Sequence, residues 1–214
     1  MKKFVVCDLD GTLIDTLIGL TKASNEFMEI NNYPYRYEYN DVKELIGNGA
    51  RKLFLGLTHR SNFDENLEQQ YNEFLKIYEK NQYVSKPYPK VIEVLKELNK
   101  KDIKIIIYSN KPKEILDKLV NYLFKDIEIL KVLGSEPQYK VKPDVTLLNK
   151  VLEEFDLSNY EGLYIGDSYT DYLTAINAKM DMLFLTYGYC HNDEKKRINC
   201  IKIANFDEIL NYLK

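Results

Sequence analysis

Short apolar runs that each end at a polar cluster constrain this chain more than any other feature. Phe4–Cys7 stops at Asp8-Leu9-Asp10-Gly11-Thr12. Residues 103–108 stop at Ser109-Asn110-Lys111-Pro112, residues 162–165 at Gly166-Asp167, and residues 181–186 at Tyr187-Gly188. A continuous apolar run closed by such a cluster reads as a strand covered on both faces, which is the habit of a parallel sheet. Residues 127–133 and 200–203 are weaker strand candidates. Between the runs, Val91, Val94, Leu95 and Leu98 recur at helical spacing, as do Val145, Leu148, Val151, Leu152 and Phe155. Strands alternating with such helices predict βαβ units and an α/β fold.

Residues 15–86 interrupt that alternation. Their patterns are helical throughout, over 17–30, 41–46, 50–57 and 64–83. The economical reading is a helical insertion after the first strand. The expected division is residues 1–14 and 87–214 as the core and 15–86 as a small helical cap, with hinges near 15–16 and 85–89.

Composition narrows the partners. The 214 residues carry 30 Lys+Arg against 33 Asp+Glu, a formal net charge of −3, so there is no basic field to gather nucleic acid. No run approaches the ~20 apolar residues that span a bilayer. Cys7, Cys190 and Cys200 fit no zinc spacing, and residues 4–7 are too short for the apolar part of a secretory signal. The expectation is a cytoplasmic protein with reduced thiols, acting without membrane or nucleic acid as a monomer or homodimer. Cys7, inside an apolar run, reads as inert core, and His59 and His191 are isolated rather than clustered as ligands.

In an open parallel sheet, ligands bind beyond the carboxyl ends of the strands. There the sequence places Asp8, Asp10 and Asp167, which would repel one another if their strands are neighbours. A hard divalent cation such as Mg²⁺ relieves that conflict and can bridge carboxylates to a phosphate. Lys142, expected at a helix start, Ser109, and the backbone N–H groups at Gly11-Thr12 and Asn110 are donors suited to phosphate oxygens. Acids, metal and lysine together describe phosphoryl transfer.

Asp8-Leu9-Asp10-Gly11-Thr12 resembles the nucleophile motif of the haloacid dehalogenase superfamily. Ser109 is similar to that family's second motif, Lys142 to its third, and Gly166-Asp167-Ser168-Tyr169-Thr170-Asp171 to its acidic fourth. The four stand in order across nearly the whole chain. The resemblance implies a Rossmann-like three-layer core with an inserted cap. It implies that Asp8 attacks phosphorus to give an aspartyl-phosphate and that Asp10 protonates the leaving oxygen and later activates water. It further implies that Asp8, the Asp10 backbone carbonyl and Asp167 hold Mg²⁺. Ser109 and Lys142 would grip the phosphoryl group, and Asp171 would act on Lys142 or on a metal-bound water.

Within the insertion, Leu45-Ile46-Gly47-Asn48-Gly49-Ala50 resembles the cap signature of phosphoglycolate phosphatases. Ser109-Asn110-Lys111-Pro112 and Leu185-Thr186-Tyr187-Gly188-Tyr189 resemble the same subfamily. Asn48 and Gly49 of that signature are substrate-binding candidates, as are Gly11, Thr12 and Asn110 through their backbone N–H groups; Arg51, which departs from the subfamily pattern, follows the turn directly and is suited to a substrate carboxylate. Hydrolysis of 2-phosphoglycolate, a small phosphorylated metabolite, is the leading expectation. The alternatives are a sugar phosphate or pyrophosphate as substrate, a phosphomutase, or a catalytically silent regulatory protein on the same fold.

Overall fold

The computed structural model describes residues 2–47 and 49–214. The chain divides into two compact units, one formed by Met1–Ile14 and Pro87–Lys214, the other by Asp15–Lys86. The elements begin with β1 (Phe4–Cys7), β2 (Ile14–Asp15), α1 (Leu17–Ile30), α2 (Tyr39–Leu45), α3 (Ala50–Leu57) and α4 (Glu65–Asn81). There follow β3 (Lys86–Pro87), α5 (Val91–Lys100), β4 (Lys104–Pro112), α6 (Lys113–Leu123), β5 (Lys131–Ser135) and α7 (Thr146–Glu154). The chain ends with β6 (Gly162–Gly166), α8 (Tyr169–Asn177), β7 (Asp181–Leu185), α9 (Asn192–Lys195) and β8 (Ile201–Ile203).

The first unit is built on a parallel sheet in the order β5-β4-β1-β6-β7-β8. β1 lies between β4 and β6, with Cys7 in register with Ile107 on one side and Ile165 on the other. That register brings the ends of these three strands to one edge. Val5 and Cys7 pack on one face with Val94 and Leu95 of α5 and Leu116 and Leu119 of α6. Phe4 and Val6 pack on the other with Leu148, Val151 and Leu152 of α7. Both faces of the sheet are covered, which is why its strands read as unbroken apolar runs.

Two expectations are corrected. The second apolar run does not stop at Tyr108: β4 continues through Pro112, with a shift in its register against β5 between Tyr108 and Pro112. Ser109, Asn110 and Lys111 therefore sit on an irregular strand extension rather than in a loop beyond it. Lys142 does not open a helix. α7 begins at Thr146, whose N–H donates to the Asp144 carboxylate at 2.9 Å. Pro143, joined to Lys142 by a cis peptide bond, disfavours helical geometry in the residue before it, so Lys142 remains in the preceding loop.

The second unit is helical. α1, α3 and α4 meet around Phe27, Phe54 and Phe74, all fully buried, with ring centroids 5.2 to 5.9 Å apart. Asp64 starts α4 by accepting the Leu67 N–H at 2.7 Å, freeing that donor from the unsatisfied first turn. The chain passes between the units at 14–15 and again at 86–87. These crossings, β2 and β3, pair as a two-stranded ribbon.

Candidate active site

The candidate site is assembled at the carboxyl ends of β1, β4 and β6 and from the loops after β5 and β7. Asp8 follows β1 directly, and its backbone N–H donates to the Ile165 carbonyl at 2.9 Å, which continues the pairing with β6 by one residue. Lys142 Nζ lies 2.6 Å from Asp8 Oδ1 and 2.7 Å from Asp171 Oδ1, bridging residues from opposite ends of the chain. Tyr164 donates its hydroxyl to the same Asp171 oxygen at 3.1 Å. Ser168 donates its backbone N–H and hydroxyl to Asp171 Oδ2 at 3.1 and 2.5 Å and caps α8 by accepting the Asp171 N–H.

Asp167 is oriented separately. Thr12 donates its hydroxyl to Oδ1 at 2.7 Å, and the Tyr189 N–H donates to Oδ2 at 2.6 Å. Tyr187 donates its hydroxyl to the Thr12 carbonyl at 2.7 Å, tying the loop after β7 to the loop after β1. Gly11 and Gly188 make room for this carboxylate. A Cβ on Gly11, whose φ is +88°, would lie 2.5 Å from Asp167 Oδ2, and one on Gly188 would lie 2.2 Å from its Cβ.

Asp10 turns its side chain to the β4 extension. Ser109 donates its hydroxyl to Asp10 Oδ2 at 3.3 Å, and Lys111 Nζ lies 2.8 Å from Oδ1. Asn110 faces the Lys142 loop instead: its Oδ1 accepts the Lys142 N–H at 2.7 Å and its Nδ2 donates to the Lys142 carbonyl at 3.3 Å. Asn110 thus fixes the backbone from which Lys142 reaches Asp8.

The electrostatics follow from this crowding. Burial, then the neighbouring Asp171, Asp167 and Asp10, push the Asp8 carboxyl well above the ordinary value, against the pull of Lys142. Asp167 is pushed up to about 7, chiefly by burial and then by Asp171, with the Tyr189 N–H and the Thr12 hydroxyl opposing. Burial would depress the Lys142 ammonium, but Asp171 and Asp8 outweigh it and hold the amine well above its usual value. Cys7, directly before Asp8, is raised by burial, which keeps it a thiol.

Asp8, Asp167 and Asp171 bring carboxylate oxygens within 4.8 Å of one another, all buried. Three carboxylates beside one ammonium are under-compensated, and the donors are all hard oxygens. That set fits a hard divalent cation. The Asp171 oxygens are already taken by Lys142, Tyr164 and Ser168, whereas Lys142 engages Asp8 through Oδ1.

The structure thus gathers Asp8, Asp10, Gly11, Thr12, Ser109, Asn110, Lys142, Asp167 and Asp171 within one unit. Thr12, a substrate candidate through its backbone N–H, uses its hydroxyl on Asp167. The remaining candidates lie in the helical unit. Asn48 is outside the described residues, and Gly49 precedes α3 as its N-cap. Arg51 spends both terminal nitrogens on Glu68, at 2.8 and 2.7 Å, and lies over the Phe63 ring at 3.8 Å. Lys111, Tyr164, Tyr187 and Tyr189 were not among the sequence candidates. Lys111, Tyr187 and Tyr189 lie in segments that the subfamily resemblance marked without singling them out, and Tyr164 was signalled only by its place in the apolar run before Gly166-Asp167.

A strand-edge cluster of this kind defines a class of hydrolase. Residues 5–185 match the family model described as haloacid dehalogenase-like hydrolase, and the chain belongs to that family. Among its relatives are a phosphoglycolate phosphatase of Vibrio vulnificus (strain CMCP6), 33% identical, and one of Vibrio parahaemolyticus serotype O3:K6, 30% identical. Each alignment covers 89% of this chain and 86% of the relative. Among solved structures, one described as a predicted phosphoglycolate phosphatase from Haemophilus somnus 129PT superposes with a TM-score of 0.88 at 26% identity. It covers 100% of this chain and 98% of that one.

Proposed function

We propose that the chain is a Mg²⁺-dependent phosphatase that hydrolyses a small phosphate monoester through a phosphorylated Asp8, with 2-phosphoglycolate as its substrate. The observation that carries this reading is the Lys142 ammonium 2.6 Å from Asp8 and 2.7 Å from Asp171, with Asp167 in the same buried cluster. The Vibrio relatives named for phosphoglycolate support the choice of substrate.

Asp8 attacks phosphorus, the bond to the leaving oxygen breaks, and Asp10 gives that oxygen a proton. Water then attacks the phosphorus on Asp8, Asp10 takes its proton, and inorganic phosphate leaves with the Asp8 carboxylate regenerated. Lys142 and Ser109 hold the phosphoryl oxygens, and Asn110 fixes the Lys142 backbone. Asp8, the Asp10 carbonyl and Asp167 would hold the Mg²⁺, whose charge offsets that of the carboxylates and the phosphoryl oxygens. Asp171 keeps Lys142 in place. The helical unit serves as the cap and offers Asn48, Gly49 and Arg51 as its candidates for substrate binding. Arg51 gives two of its five N–H donors to Glu68 and has others with which to read a substrate carboxylate.

No helix among the described residues is long and apolar enough to cross a membrane. Cys7, Cys190 and Cys200 are unpaired, which suits a reducing cytoplasm. The enzyme acts there on a soluble metabolite as a monomer or homodimer.

Phosphate release across a panel of esters that includes 2-phosphoglycolate tests the assignment. Asp8→Asn is expected to lower turnover by at least about 10³-fold while the protein still folds. Release from the variant within about tenfold of the parent rejects the covalent step.

A further inference from the structure

We propose that Lys111 is a positioning residue for Asp10: its ammonium pins one carboxylate oxygen so that the acid's proton reaches the leaving oxygen, and it keeps that hold when the Ser109 hydroxyl turns to the phosphoryl group. The inference rests on the reading of Asp10 as acid and base and adds a residue to it.

The Lys111 side chain is only 4% exposed. Burying an ammonium is costly unless it is paired, and here Asp10 Oδ1 lies 2.8 Å from Nζ. The Lys111 backbone N–H donates to Ser109 Oγ at 3.2 Å, and that hydroxyl donates to Asp10 Oδ2 at 3.3 Å. Asp10 is therefore met from one three-residue segment, Oδ1 by an ion pair and Oδ2 by a hydrogen bond. The terminal torsion of an aspartate is broad, so a carboxylate without a partner turns freely. The Lys111 ammonium at Oδ1 restricts that turn whether Ser109 faces Asp10 or the phosphoryl group.

The strand explains how three adjacent residues divide the task. Along an extended backbone, alternate side chains point to opposite sides. Ser109 and Lys111 meet Asp10, while Asn110 meets the Lys142 loop. The continuation of β4 to Pro112 thus serves the acid with two residues and Lys142 with the one between. Gly134 on β5 permits this approach, because a Cβ there would lie 3.0 Å from the Lys111 carbonyl and 2.6 Å from the Lys113 Cα.

A residue that acts through Asp10 should matter in proportion to how much the leaving group needs a proton. An alkoxide needs one, and p-nitrophenolate does not. The test compares kcat/KM for 2-phosphoglycolate and p-nitrophenyl phosphate with saturating Mg²⁺, because that ratio covers only the steps through phosphorylation of Asp8. Parent, Asp10→Asn, Lys111→Met and Lys111→Arg are measured side by side.

The expected loss for the alkyl ester is about 10²-fold or more in Asp10→Asn and about tenfold in Lys111→Met. Both variants should lose less on the aryl ester than on the alkyl ester, and circular dichroism reports that they fold. Lys111→Arg should recover most of the alkyl activity. Equal losses on both esters in Lys111→Met, or no loss on either, overturn the positioning role while a selective Asp10→Asn leaves the acid intact. An unselective Asp10→Asn overturns both assignments.

Discussion

Asp167 shows at the scale of one residue how burial and hydrogen bonding compete. Burial and the nearby Asp171 raise it to about 7, while Thr12 and the Tyr189 N–H pull the other way. In the unfolded chain a free aspartate titrates near ~3.9. Between those values the native state binds the extra proton, so the stability this group contributes is complete below the lower value. It is lost as pH rises through the higher one. Without divalent cation, the melting temperature is expected to fall as pH rises from about 4 to about 7 on account of this carboxylate, and Asp167→Asn should flatten that slope. In the proposed site protons would compete with Mg²⁺ for the same oxygens, so the Mg²⁺-induced rise in Tm should be larger at pH 7.5 than at pH 5.5. A Mg²⁺ shift independent of pH, measured by differential scanning fluorimetry, contradicts this account.

Among the elements, the short loop after β7 does more than its length suggests. Tyr187 donates to the Thr12 carbonyl and the Tyr189 N–H donates to Asp167, with Gly188 between them against the Asp167 side chain. Backbone and carboxylate meet there at a distance that leaves no room for a Cβ. Gly188→Ala is therefore expected to displace Asp167 and weaken Mg²⁺ binding by about tenfold or more, the scale found when groups that orient metal ligands are disturbed. Calorimetric titration of the variant with Mg²⁺ reads this directly. Unchanged affinity means that the loop does not set the position of Asp167. The resemblance of residues 185–189 to a known subfamily marked this segment in the sequence. Its work could not be read there, since both contacts of the loop run to residues far away in the chain.

The two units of the whole molecule have separate cores. Phe54 is fully buried in the helical unit against Phe27, Tyr71 and Phe74. Phe54→Ala should cost about 3–5 kcal/mol there through lost burial and the cavity left behind. Hydrogen exchange should show loss of protection concentrated in 15–86, with the amides of β1, β4 and β6 less affected. Uniform loss across both units would mean that they unfold as one.

The helices 17–30 and 50–57, the strand Phe4–Cys7 and the helical character of 15–86 were legible in the sequence. Period and apolar continuity are local properties, and burial enforces them wherever an element packs. The acids at the strand ends were legible for the same reason, since a polar cluster that abruptly closes a buried run marks the edge of a sheet. Pairing across the fold was not legible. Thr12 meets Asp167 across 155 positions and Lys142 meets Asp8 across 134. Which side chains meet at such separations depends on strand order and register, and these are settled only when β1 takes its place between β4 and β6. The same holds for Lys111, whose ammonium found Asp10 because β4 runs on past Tyr108, and for Arg51, whose guanidinium found Glu68 because α3 and α4 pack in one helical unit.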